Sequence, residues 1–289
     1  MPTAVVNGLK VAYELHGEGE PVALTPGGRF SMDVAGVREL ALALAEGGKQ
    51  VLIWDRPNTG ASDLCFQGDS EFEMHADTLA GLIETLELGT TAIVGGSAGS
   101  RVSMTTVIRH PEVAEKLAVW WISGGYFHAA AIVGYYCGES WFAAKQNGMD
   151  GVAALPIWQE TLQKNPANRE RLLAMDPEEF AAVMEAWAPK LAAYPDSPAL
   201  GMHVEEFAKI LVPTLVFRGS PTDFWHHRST TEWVAELVRD SHLVEPPWGD
   251  EEWNERSAGY QQTGDNLLFA SWPKLAPQLL EFMNDPATR

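Results

Sequence analysis

Thr91 to Gly99 reads T-A-I-V-G-G-S-A-G, and the interpretation of that run decides the fold. A short β-branched strand stops on Gly95-Gly96 and passes directly to Ser97, giving the pattern G-x-S-x-G from Gly95 to Gly99. A strand that turns into a helix within so few residues holds its serine in a strained conformation. Side chains on either flank would collide, so small residues are needed on both sides. Ser100 to His110 continues as a helix and stops before Pro111. The strand, turn and helix that present a nucleophilic serine are therefore all in place around Ser97.

Working outward toward the N-terminus, Ala4 to Leu15 alternates apolar and polar residues about Asn7-Gly8, the signature of a hairpin. Pro21 to Thr25 is a buried strand that ends in Pro26-Gly27-Gly28-Arg29-Phe30, a glycine turn whose N–H groups are free to face a ligand. Val37 to Glu46 has helical spacing, Val51 to Trp54 is a short apolar strand, and Glu71 to Leu88 is a helix leading into the Thr91 strand. On the other side, Leu117 to Ile122 is another buried strand, finishing at Ser123-Gly124-Gly125. Strands alternating with helices at this spacing imply a mostly parallel sheet covered on both faces. Ligands of such sheets bind beyond the carboxyl ends of the strands, where Gly27, Ser97 and Gly125 all fall.

From Tyr126 the pattern changes to helices rich in Trp, Tyr, Phe, Met and Ala, and the sheet rhythm returns only at Leu211 to Phe217. A loop from Arg218 to Arg228, a helix from Ser229 to Val238, a strand from His242 to Glu245 and a closing helix from Pro273 to Met283 follow. The expected division is a core of residues 1–125 and 210–289, with residues 126–209 as a helical insertion.

Composition narrows the function classes. A chain of 289 residues with 46% hydrophobic content can bury one large core. Its formal charge of −19 repels phosphate backbones and anionic lipid, so no nucleic-acid or membrane partner is expected. The N-terminal stretch has no basic segment followed by an apolar one, and no apolar run is long enough to span a bilayer, so a cytoplasmic location is the expectation. Cys65 and Cys137 are too few for a disulfide framework and lack metal-ligand spacing. No metal or cofactor is expected.

The chain resembles the α/β-hydrolase superfamily over residues 4 to 125 and 210 to 285. The resemblance rests on G-G-S-A-G-S at Gly95 to Ser100, on V-P-T-L-V-F-R-G at Val212 to Gly219, and on Asp55 to Ser62, which approximates D-x-R-G-x-G-x-S with Pro57-Asn58 disturbing its middle. It implies a helical cap inserted after the sixth strand and a serine hydrolase related to esterases. The doubled glycine and trailing serine of the elbow are similar to prolyl iminopeptidases, and the cap position is shared with carbon–carbon bond hydrolases. The resemblance also implies oxyanion donors: the N–H of Ala98, after the nucleophile, and the N–H of Gly28, in the loop after the third strand, with Arg29 as the neighbour that could replace Gly28.

A serine needs a base, and the base needs a group to orient it. Asp223 stands where the resemblance places the acid, one residue further along than its spacing implies. The histidine is absent from its implied place: after the last strand the chain reads Gly249-Asp250, and no histidine follows His242. Three readings remain open. The base has moved to His226 or His227, with Asp250 in the vacated position as an orienting carboxylate; the i, i+4 relation to Asp223 slightly favours His227. Alternatively the base comes from the cap, with His128 as its best candidate. In the third reading, hydrolysis has been lost and the chain binds a small molecule. The aromatic residues Tyr126, Phe127, Tyr135, Tyr136, Trp141, Phe142, Trp158 and Trp187 could roof a pocket for an apolar substrate. The expected partner is a small-molecule substrate, most simply an ester or lactone.

Overall fold

In the computed structural model, which describes residues 1–286, strand register follows the apolar runs of the sequence. β1 (Thr3–Val6) and β2 (Leu9–His16) form the expected antiparallel hairpin. Its turn places Asn7 and Gly8 at φ 51° and 81°, the left-handed pair that a tight hairpin requires. β3 (Glu20–Thr25), β4 (Lys49–Trp54), β5 (Thr91–Gly96), β6 (Ala114–Trp120), β7 (Thr214–Phe217) and β8 (Ser241–Val244) complete one sheet of order β1-β2-β4-β3-β5-β6-β7-β8. β2 runs antiparallel to β4, and every later pairing is parallel.

Both faces of the sheet are covered. Along β4, Val51 and Ile53 join one apolar cluster while Leu52 and Trp54 join the other, which is why the strand reads as a continuous apolar run. α1 (Val37–Glu46) covers one face, and α2 (Glu71–Thr85) and α3 (Ala98–Arg109) pack together on the other. α2 stops three residues short of the Leu88 expected from the sequence.

Between β6 and β7 the chain builds α4 (Tyr126–Val133), α5 (Glu139–Ala154), α6 (Pro156–Lys164), α7 (Pro166–Leu173), α8 (Pro177–Trp187) and α9 (Val204–Phe207). α10 (Arg228–Leu237) links β7 to β8, and α12 (Ala276–Asn284) closes the chain. α11 (Glu252–Thr263) lies in a stretch where the sequence showed no helical pattern, since none of its residues is fully buried. No helix among the described residues is long and apolar enough to cross a membrane.

The connection reverses direction across the sheet at β3, which has β4 on one side and β5 on the other. Ligands in open parallel sheets bind at such a switch point. Ser97 follows β5 there, and the Gly27-Gly28 turn follows the adjoining β3, with Thr25 paired to Gly95.

Candidate active site

Ser97 sits at φ 55° and ψ −125°, the strained conformation that the glycine-flanked turn implied. The turn is too crowded for larger neighbours: a Cβ on Gly95 would lie 2.6 Å from the Gly99 carbonyl oxygen, and one on Gly99 would lie 2.2 Å from the Thr25 carbonyl oxygen. α3 begins at the next residue. The Ala98 N–H therefore belongs to the first helical turn, whose donors have no partner within the helix. Gly28, at φ 49°, lines the same cavity as Ser97 and Ala98. Its loop is held from behind by the buried Arg56, whose Nη2 donates to the carbonyls of Gly27, Gly28 and Phe30 at 3.2, 2.8 and 3.2 Å. The Arg29 side chain turns away and pairs with the buried Glu71 at 2.9 Å.

The loop after β7 brings two of the expected residues to the serine. His226 Nε2 lies 3.1 Å from Ser97 Oγ, and His226 Nδ1 lies 2.9 Å from Asp223 Oδ2. Asp223 also fixes the backbone: its Oδ1 accepts from the N–H groups of Trp225 and His226 at 2.7 and 3.1 Å. Burial alone would raise the Asp223 pKa, but the charge and hydrogen bond of His226 and the two N–H donors hold it below the usual carboxylate range. Gly219 allows the loop to close, because a Cβ there would lie 2.3 Å from the His226 carbonyl oxygen.

Of the remaining candidates, His227 and Asp250 lie outside the cavity and His128 lines it. His227, the residue slightly favoured from the sequence, is the N-cap of α10; its Nδ1 accepts from the Ser229 N–H at 3.2 Å, and its side chain is exposed. A cap residue has its backbone outside the helix, so His227 turns away at the point where His226 turns in. Asp250 is also exposed and accepts from Arg228 Nη2 at 3.1 Å. His128 does line the cavity, with its ring 6.1 Å from that of His226. Burial, reinforced by His226, pushes its pKa down to about 3, so it is neutral at ordinary pH.

An aromatic wall that the sequence did not reveal supports His226. Its ring stacks on Trp121 at 5.8 Å and 21°, and Trp253 meets it edge-on at 4.5 Å. Trp248 packs on Trp121 at 5.3 Å, and Tyr260 of α11 reaches Phe30 beside the Gly28 turn at 5.8 Å. The segment after β8 therefore contributes rings to the site where the resemblance implied a base. The cavity is about 340 Å³ and largely apolar, with Tyr135, Tyr136, Met104, Ile132 and Leu200 among its walls. Of the aromatics expected to roof it, Tyr135 and Tyr136 do so, Trp158 and Trp187 are buried in packing, and Tyr126, Phe127 and Phe142 are exposed.

No family model matches the chain. A curated 2-hydroxy-6-oxononadienedioate/2-hydroxy-6-oxononatrienedioate hydrolase from Burkholderia vietnamiensis is 32% identical over 77 residues, a match that spans 27% of this chain and 27% of that protein. Among solved structures, the enol-lactonase from Burkholderia xenovorans superposes with a TM-score of 0.56 at 21% identity, over 92% of this chain and 99% of that one. The meta-cleavage product hydrolase from Pseudomonas fluorescens gives 0.62 at 19% identity, over 98% and 97%. The E-2-(acetamidomethylene)succinate hydrolase structure gives 0.63 at 16% identity, over 98% of each chain. Together with the sheet order and the strained serine after β5, these likenesses show that the chain has the α/β-hydrolase fold.

Proposed function

We propose that the protein is a serine hydrolase that cleaves an ester or lactone of a small, largely apolar molecule through an acyl-enzyme on Ser97. The observation that carries this reading is the line of hydrogen-bonding distances from Ser97 Oγ to His226 Nε2 and from His226 Nδ1 to Asp223 Oδ2. With Nδ1–H donating to Asp223, Nε2 carries the lone pair and takes the proton as Ser97 Oγ attacks the substrate carbonyl. The tetrahedral oxyanion accepts from the N–H groups of Ala98 and Gly28. On collapse, protonated His226 gives its proton to the leaving oxygen, and a water activated by the same imidazole then releases the acid. Residues 126–209 act as a cap that closes the cavity over the substrate.

Two readings compete within the fold. Carbon–carbon bond cleavage is supported by the likeness to the meta-cleavage product hydrolase and to the curated relative. An aminopeptidase is disfavoured, because no Asp or Glu among the described residues lines the cavity to hold a substrate amine. A fluorophosphonate probe tests the common chemistry: wild type is expected to label and Ser97→Ala to stay unlabelled. Wild type that remains unlabelled would rule out an activated Ser97.

A further inference from the structure

The cavity contains a charge that ester cleavage does not use. Arg101 lies four residues beyond Ser97 at the start of α3, and residues with that spacing share a helix face, so it opens onto the same cavity. It is 9% exposed. Its Nη2 makes both of the side chain's hydrogen bonds, to the carbonyl oxygens of Lys190 at 2.5 Å and Gly201 at 3.5 Å, while Nε is buried with no partner. The guanidinium lies over the Phe72 ring, with Cζ 4.0 Å from the centroid. Burial lowers its pKa to about 10, which leaves it protonated at neutral pH.

The other two buried arginines near the site are matched differently. Each also leaves its Nε without a partner, but Arg29 has the Glu71 carboxylate, and Arg56 has three loop carbonyls. Arg101 has neither a carboxylate within ion-pairing distance among the described residues nor an acidic side chain across the cavity. His128 in the same wall is neutral. A buried cation that lines a ligand cavity without a counter-charge is completed by an anion, and a guanidinium hydrogen-bonds carboxylates well.

We propose that Arg101 binds a carboxylate carried by the substrate, so that the preferred substrates are esters, lactones or ketones of an anionic acid. At the backbone, the anchor stands about 6 Å along α3 from the nucleophile. This rests on the serine hydrolase reading for the reaction, but its recognition step can be measured without turnover.

The turnover test compares 4-nitrophenyl hydrogen glutarate with its neutral methyl ester. Wild type is expected to favour the anion at least about tenfold in kcat/KM, and Arg101→Met to lose that preference chiefly through KM, with Arg101→Lys restoring part of it. A role confined to holding the Lys190 and Gly201 carbonyls would lower both rates alike and leave their ratio unchanged, which would overturn the proposal. Calorimetry on Ser97→Ala decides the matter even if neither ester is cleaved. Monomethyl glutarate should bind more tightly than dimethyl glutarate, and equal or reversed affinities would sink the carboxylate site whether or not Arg101→Met folds. Failure to label with fluorophosphonate, by contrast, counts against the hydrolase reading alone.

Discussion

The loops after β7 and β8 leave neighbouring strands at the same edge of the sheet, yet they do different work. The β7 loop places Asp223 and His226 three residues apart, and both face inward toward Ser97. The segment after β8, where the resemblance implied the base, instead carries Trp248 and Trp253 and lets Asp250 pair with Arg228 at the surface. The hydrogen-bonded line from Ser97 through His226 to Asp223 draws both of its partners from one loop, and the other packs the His226 ring; in the proposed mechanism, proton transfer belongs to the first alone. A triad can thus keep its geometry while changing which segments supply its members.

The sharpest way to break this contrast is to substitute the two adjacent histidines. His226→Ala is expected to lower kcat by about 10⁴ to 10⁶, whereas His227→Ala should change kcat less than about threefold and cost about 1 kcal/mol as a lost helix cap. Steady-state kinetics and denaturant melts separate the two effects, and a larger kcat loss in the His227 variant would reverse the assignment. The carboxylates give the next largest difference. Asp223→Asn should reduce kcat by about 10⁴ through misplacement of the imidazole proton, while Asp250→Asn should leave kcat close to wild type. If Asp250→Asn were the more damaging, the β8 segment would be part of the proton chemistry.

Trp253→Ala tests the supporting role of the β8 side. Loss of the edge-on ring is expected to cost about 10- to 100-fold in kcat by loosening His226. Little change in KM for an uncharged ester would accompany it, and an unchanged kcat would show that Trp121 and Asp223 suffice to hold the ring.

The smallest effect concerns stability. His128, whose ring lies 4.4 Å from that of Trp225 in the β7 loop, has a pKa lowered to about 3 by burial. Below about pH 6.5 the unfolded chain takes up a proton that folded His128 does not, so stability drains away as pH falls and levels off near the folded value. At pH 5 the loss is about 2 kcal/mol. His128→Gln should remove that part of the difference between melts at pH 7 and pH 5, and an unchanged difference would mean that His128 is protonated in the folded protein.

Local chemistry made some of these features legible in the sequence and tertiary contacts hid others. The elbow could be read because strand, glycines and helix are consecutive, and the crowding that demands glycine arises within the turn itself. Asp223 was a candidate through the resemblance, one residue beyond the implied spacing. The choice between His226 and His227 could not be read, because it depends on which N–H groups Asp223 captures and on the close pass of Gly219 behind them. α11 was invisible because a helix with no fully buried residue has no apolar period to detect. Arg101 lay within the helix expected from Ser100 to His110, but only the cavity shows that its charge is unmatched.

The compactness of the Asp223–His226 pair has a further consequence, for how the protein would fail. The loop is pinned at its base by the Arg228 N–H on the Ser220 carbonyl at 2.9 Å and by the Gly219 N–H on Thr231 Oγ1 at 2.8 Å. If those clasps open, His226 and Asp223, the base and orienting acid of the proposed mechanism, leave the serine together without any strand pairing being broken. Inactivation under mild denaturant then becomes a single local event, and residual activity measures the opening free energy of one loop, not that of the whole chain.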